Sequence, residues 1–106
     1  MATQTQARAD RPMLDQVRAH AAAIREIVER HGASNPRVFG SVARGDDHAG
    51  SDVDILVDHQ PSLSLLGLVR LERTLSELLG RSVDVVVDDE VGAKARARIF
   101  GEAVQL

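Results

Sequence analysis

The chain has 106 residues, enough for one domain with a modest core and too few for two. A formal net charge of -3, no Tyr or Trp and only two Phe argue against a general nucleic-acid coat, which needs a basic face to displace counterions and aromatic platforms to stack bases. With no Cys, disulfides and thiolate metal sites are excluded; no apolar stretch approaches membrane-spanning length and nothing resembles a signal peptide, so the expectation is a soluble cytoplasmic protein.

In chain order, residues 1–11 are polar and aperiodic and read as a disordered leader, leaving 12–106 as the domain. Pro12 suits a first helical turn, and Leu14, Val17, Ala21, Ile24 and Val28 recur at helical spacing up to His31-Gly32, where Gly32 suits a left-handed cap. Asn35-Pro36 marks a turn, and Arg37 to Gly40 a short strand. Residues 41–51 read as a helical turn and a loop. Val53 to Val57 is a strand, broken by Pro61 and Ser62. Leu65, Leu68, Val69, Leu71, Leu75, Leu78 and Leu79 predict a second amphipathic helix closed by Gly80. Val83 to Val87 is a third strand, 91–100 is weakly helical, and Ala103 to Leu106 reads as an edge strand. The fold class is α+β, a small mixed sheet with helices packed on it; the pattern leaves the strand order open.

The chemistry concentrates on the strands. Side chains alternate along a strand, so Asp52 and Asp54 share one face while Val53, Ile55 and Val57 share the other, the natural core face. Neighbouring carboxylates repel, and a bound divalent cation relieves the repulsion. Oxygen donors without Cys or a His pair favour magnesium, with manganese also suitable. In Val83 to Val87 one acid, Asp84, interrupts an apolar run; beside the Asp52–Asp54 strand it reaches the same cation. Taken alone, an Asp-x-Asp is a weak signal, and Asp84 equally suits an edge-strand charge that discourages aggregation.

Phe39-Gly40-Ser41 runs from strand straight into helix. Glycine lets a phosphate approach the backbone, Ser41 adds a donor, and Arg44 follows about one helical turn later. Each piece alone has an ordinary reading, a turn and a solvated Arg. Together, Gly40-Ser41 and then Asp52-x-Asp54 after ten residues form a pattern that a chain this long would match by chance roughly once in a thousand.

Val38 to Gly45, followed by Ser51 to Val57, resembles the nucleotidyltransferase domain of the polymerase-beta superfamily, and most of all its shortest branch, the MNT-type antitoxins that act beside HEPN toxins. The resemblance runs from the first helix to Val104. It implies the polymerase-beta-like fold. It implies that Gly40, Ser41 and Arg44 bind the nucleotide phosphates, that Asp52, Asp54 and Asp84 are catalytic and bind magnesium, and that ATP is the substrate. A hydroxyl of a HEPN toxin would receive AMP, within a hetero-oligomer of the two proteins. Two other functions stay open. One is a non-catalytic antitoxin that neutralises its toxin by binding, with a regulatory or vestigial nucleotide site. The other is a small-molecule nucleotidyltransferase, against which the lack of a second domain counts. His48 and His59 receive no role, and Lys94, Arg96 and Arg98 read first as a solvated helix face.

Overall fold

The computed structural model describes residues 12–106, so the leader expected at 1–11 lies outside the described residues. Where the apolar periodicity predicts one helix, there are two: α1, Met13–Ala19, and α2, Ala21–Arg30. The break falls at His20. Its ring Nδ1 bonds the Gln16 carbonyl at 2.8 Å, the acceptor that an unbroken helix would offer to the His20 backbone N–H. That N–H turns to the Val17 carbonyl at 3.1 Å instead. Gly32 follows α2 with φ 85°, in the left-handed conformation expected of it.

Strand β1 spans Ala33–Phe39, longer at its start than the Asn35-Pro36 turn signal suggests. Those two residues form an irregularity inside the strand: pairing with the next strand shifts between Ser34 and Arg37, and Asn35 has φ 53°. A bulge lets a strand absorb a proline and a left-handed residue without ending. After the one-turn helix α3, Gly40–Arg44, and a loop, β2 covers Val53–His59. Helix α4 is Leu65–Leu79, capped by the Ser64 hydroxyl accepting from the Gly67 N–H and closed by left-handed Gly80. Strand β3 is Val83–Val87; a short 3-10 turn, Asp88–Glu90, leads to α5, Ala93–Glu102, and then to β4, Val104–Gln105.

The sheet order is β3-β2-β1-β4. β2 and β3 run parallel, joined through α4, and β1 is antiparallel to both β2 and β4, which makes the sheet mixed. This is the α+β architecture expected from the sequence. One face carries the main core: Val38, Val53, Ile55, Val57, Val83, Val85 and Val87 pack against apolar residues of α1, α2 and α4. The opposite face holds a second, smaller cluster of Phe39, Leu56 and Ile99, with Val86, Val91, Ala95 and Ala103 against it. Thus α5 lies over the middle of the face that also bears the acids. The apolar stripe predicted for α4 is wider than the core it meets. Leu71, Leu75 and Leu79 are buried, whereas Leu65 and Val69 near its start, with Leu66, stay largely exposed. Among the described residues no helix is long and apolar enough to cross a membrane.

Candidate functional site

The site begins where β1 ends. At Gly40 the backbone takes φ 74°, a conformation that costs a side-chain-bearing residue about 1–2 kcal/mol. A Cβ there would also run into the Asp54 carboxylate. The backbone conformation favours glycine, and any side chain there would force the Asp54 carboxylate of the neighbouring strand to shift. Ser41 follows, half-buried, and Arg44 stands at the end of α3, before left-handed Gly45.

Strand register gathers the acids. Asp54 is paired with Phe39 on the antiparallel side and with Asp84 on the parallel side, so residues 39, 54 and 84 lie side by side on one face. Asp52 precedes β2 on the same alternation. The loop before it is closed by the Ser51 hydroxyl accepting from the His48 N–H at 2.9 Å. Arg81 ties that loop to the start of β3, donating to the carbonyls of His48 at 2.9 Å and Ser51 at 2.6 Å. Asp52 and Asp84 are exposed and Asp54 is half-buried. Burial first, then the charges of Asp84 and Asp52, push the Asp54 carboxyl above its ordinary value; Arg44 pulls the other way without prevailing. A half-buried carboxylate crowded by like charges is a setting that a hard divalent cation relieves, and the donors present are all carboxylate oxygens. Among the described residues, no group of three or more His, Asp or Glu side chains is arranged to hold a metal ion as it stands. The three acids share a face without converging.

Arg44 is already engaged. Its Nη1 meets Glu102 Oε2 at 3.0 Å and its Nε meets Asp46 Oδ2 at 3.2 Å. The other Glu102 oxygen, Oε1, accepts from the Gly40 backbone N–H at 3.0 Å. Sequence reasoning assigns Glu102 nothing. It lies 62 residues beyond Gly40, and no local spacing links them. Arg81 and Arg37 were equally silent, although strand alternation places Arg37 on the face of Phe39.

At the far end of the same face the charges are settled. Arg37, 5% exposed, donates to Asp58 Oδ1 at 2.8 Å, and Asn35 donates to Asp58 Oδ2 at 3.1 Å. Burial acts to raise the Asp58 carboxyl, and these two bonds more than offset it, holding it below its ordinary value. His59 ends β2 at this far end, where it helps line a small groove with Leu63, Leu65, Leu68 and Val87. It is therefore remote from the Asp52–Asp54 end of the strand.

Residues 21–106 match the family model of the nucleotidyltransferase domain. A Methanocaldococcus jannaschii protein inferred to be a protein adenylyltransferase is 41% identical over 80 residues, which cover 76% of this chain and 86% of that one. The Thermococcus cleftensis protein adenylyltransferase MntA is 40% identical over 80 residues, covering 76% and 81%. A solved structure described as that of a minimal nucleotidyltransferase superposes with a TM-score of 0.79 at 40% identity, covering 88% of this chain and 95% of that one. The fold recurs at 18% identity, with a TM-score of 0.63, in a solved complex of a tri-AMPylated Shewanella oneidensis HEPN toxin with an MNT antitoxin, over 83% of this chain and 69% of that one.

Proposed function

Since the chain belongs to the nucleotidyltransferase domain family, we propose that it is a magnesium-dependent protein adenylyltransferase of the antitoxin type, moving AMP from ATP to a hydroxyl of a HEPN toxin in the cytoplasm. The observation that carries this reading is the contact between the Gly40 turn and Asp54, with Asp84 beside it in register. There a left-handed glycine turn lies against a carboxylate that other acids crowd. The 40% and 41% identical relatives, named for protein adenylylation, support the acceptor class. So do the exposed Leu65, Leu66 and Val69, apolar surface of a kind that protein partners cover.

In this mechanism the Gly40-Ser41 turn and Arg44 hold the triphosphate and place its α-phosphorus near Asp54. Asp52, Asp54 and Asp84 would hold magnesium, which supplies positive charge to the phosphates and acidifies the incoming hydroxyl. The hydroxyl oxygen bonds to the α-phosphorus, the bond from that phosphorus to the bridging oxygen of the β-phosphate breaks, and pyrophosphate leaves. Asp84, exposed at the edge of the acid face, takes the hydroxyl proton. The transferred AMP adds charge and bulk to the toxin at the modified hydroxyl.

A second reading has its own support. The acids do not converge into a ready metal site, and Arg44 is already paired, as suits an antitoxin that acts by binding and keeps a regulatory nucleotide site. The two readings part in one experiment. The chain is co-purified with its toxin partner, magnesium and each nucleoside triphosphate are added, and both chains are weighed intact by mass spectrometry. Gain of nucleoside-monophosphate mass by the partner, absent with Asp52→Ala, Asp54→Ala, is the expected result. A stable but unmodified complex would leave the binding antitoxin standing.

A further inference from the structure

On the nucleotide-site reading above, we propose that Glu102 is a positioning residue of that site, clamping the Gly40 turn and the Arg44 guanidinium so that Nη2 of Arg44 remains to meet the triphosphate. The two groups sit at opposite ends of α3, a helix of five residues. A helix this short does not hold itself, because nucleation is unfavourable and there is almost no propagation to offset it. What fixes its two ends must come from elsewhere, and one carboxylate reaches both, at 3.0 Å each.

The clamp is anchored behind. Ile99, one turn earlier on α5, is buried with Phe39 and Leu56. One residue after Glu102 the chain enters β4, which pairs with Arg37 and Val38 of β1, and the Leu106 N–H bonds the Pro36 carbonyl at 3.2 Å. Glu102 is thus held between a packed helix and a paired strand rather than on a loose tail. Its side chain is 15% exposed, against 62% for Asp46, the other partner of Arg44. An ion pair as exposed as Arg44–Asp46 contributes little, so the shielded partner sets the guanidinium's place.

The location of this acid also calls for a role. Glu102 is the last residue of α5, where the helix dipole disfavours negative charge, and its charge adds to the crowding of Asp54. It is a poor position for a carboxylate unless its partners need it. A guanidinium has five N–H donors in a fixed planar fork. Asp46 takes Nε and Glu102 takes Nη1, which fixes the plane of the fork and leaves Nη2 for an anion. Asp46 and Glu102 together orient the cation, and only Glu102 also restrains the Gly40 turn.

The test is a thermodynamic cycle on the full chain, with ATP and magnesium binding read by titration calorimetry for the parent, Glu102→Gln, Arg44→Ala and the double variant. Glutamine retains an acceptor for the Gly40 N–H and loses the charge that holds Arg44, so its melting temperature stays near the parent's. The expected result is ATP binding weakened about tenfold by Glu102→Gln, with no further weakening when it is added to Arg44→Ala. Asp46→Asn weakens binding less. Unchanged affinity in Glu102→Gln overturns the proposal. So does tighter binding, which would make Glu102 a competitor of the phosphates, and so does a loss that persists in full without Arg44, which would make its role merely structural. Should Glu102→Gln fail to fold, Glu102→Asp, which keeps the charge and shortens the reach, is read by the same criteria. A parent chain that binds no ATP removes the nucleotide-site reading itself, and the positioning role with it.

Discussion

Asp54 and Asp58 lie four residues apart on one strand and on one face of the sheet, yet their surroundings are opposite. Asp58 has the buried Arg37 and Asn35 for partners and is held below its ordinary ionisation range. Asp54 is half-buried, with a glycine backbone against its carboxylate and the charges of Asp84, Asp52 and Glu102 acting on it against Arg44 alone, and is pushed above that range. Between them Leu56 is fully buried with Phe39 and Ile99. The same residue type on the same element thus does two jobs. At one end a completed ion pair joins the two central strands; at the other, like charges crowd a half-buried carboxylate.

The strongest way to break this comparison is to neutralise each acid in turn. Asp54→Asn lowers nucleotide transfer by roughly 10²–10³, the scale of losing one group that stabilises charge in the transition state. It also abolishes any rise in melting temperature produced by magnesium with ATP, while the apo protein is no less stable than the parent. Asp58→Asn does the reverse. Transfer is unchanged within about twofold, and chemical denaturation shows a loss of about 1 kcal/mol, because a buried guanidinium is left with a neutral partner.

Gly40→Ala sharpens the comparison by forcing the turn and the acid apart. The left-handed backbone and the collision with Asp54 together cost about 2 kcal/mol or more, read as a lowered denaturation midpoint, and transfer falls with it. Were alanine tolerated in both assays, the contact between turn and acid would not be what builds the site.

The smallest effect is in the acid limb of stability measured with magnesium chelated. Asp58 has a lowered folded value, so its contribution is present above the ordinary carboxylate range and is lost as pH falls through that lowered value. For Asp54 the folded value is raised, so the fold gains relative stability as pH falls through that value towards the ordinary range. Against the parent, Asp58→Asn therefore loses less stability on acidification and Asp54→Asn loses more. Denaturation midpoints across the carboxylate range check the two signs; slopes that change in the same direction would erase the distinction between the acids.

Much of this was legible beforehand, and the reasons are local. Alternation along Ser51 to Val57 separates the aspartates from the valines without knowledge of any neighbour, and the helical spacing from Leu65 to Leu79 stands out from the sequence in the same way. Gly40 between a strand and a helix marks a special backbone, and the positive φ is there. The misses are competitions that spacing does not encode. Apolar periodicity runs through His20 undisturbed, yet the helix breaks there, where the His20 ring meets the Gln16 carbonyl. Proline and asparagine signal a turn equally well whether the chain ends a strand there or bulges within one.

By itself the sequence determined which residues face together on each element, the placing of the glycine turn ten residues before the acids, and the family to which such a pattern belongs. Those are consequences of backbone period and of residue chemistry, and both act within a few positions. Tertiary structure alone decided that β3 pairs beside β2 with Asp84 level with Asp54, that α5 roofs the middle of the acid face, that Arg37 and not a metal answers Asp58, and that Glu102 reaches back to Gly40 and Arg44. Each of these joins residues far apart in the chain, where pairing is settled by which whole faces can be buried together, a choice that no short stretch of sequence contains.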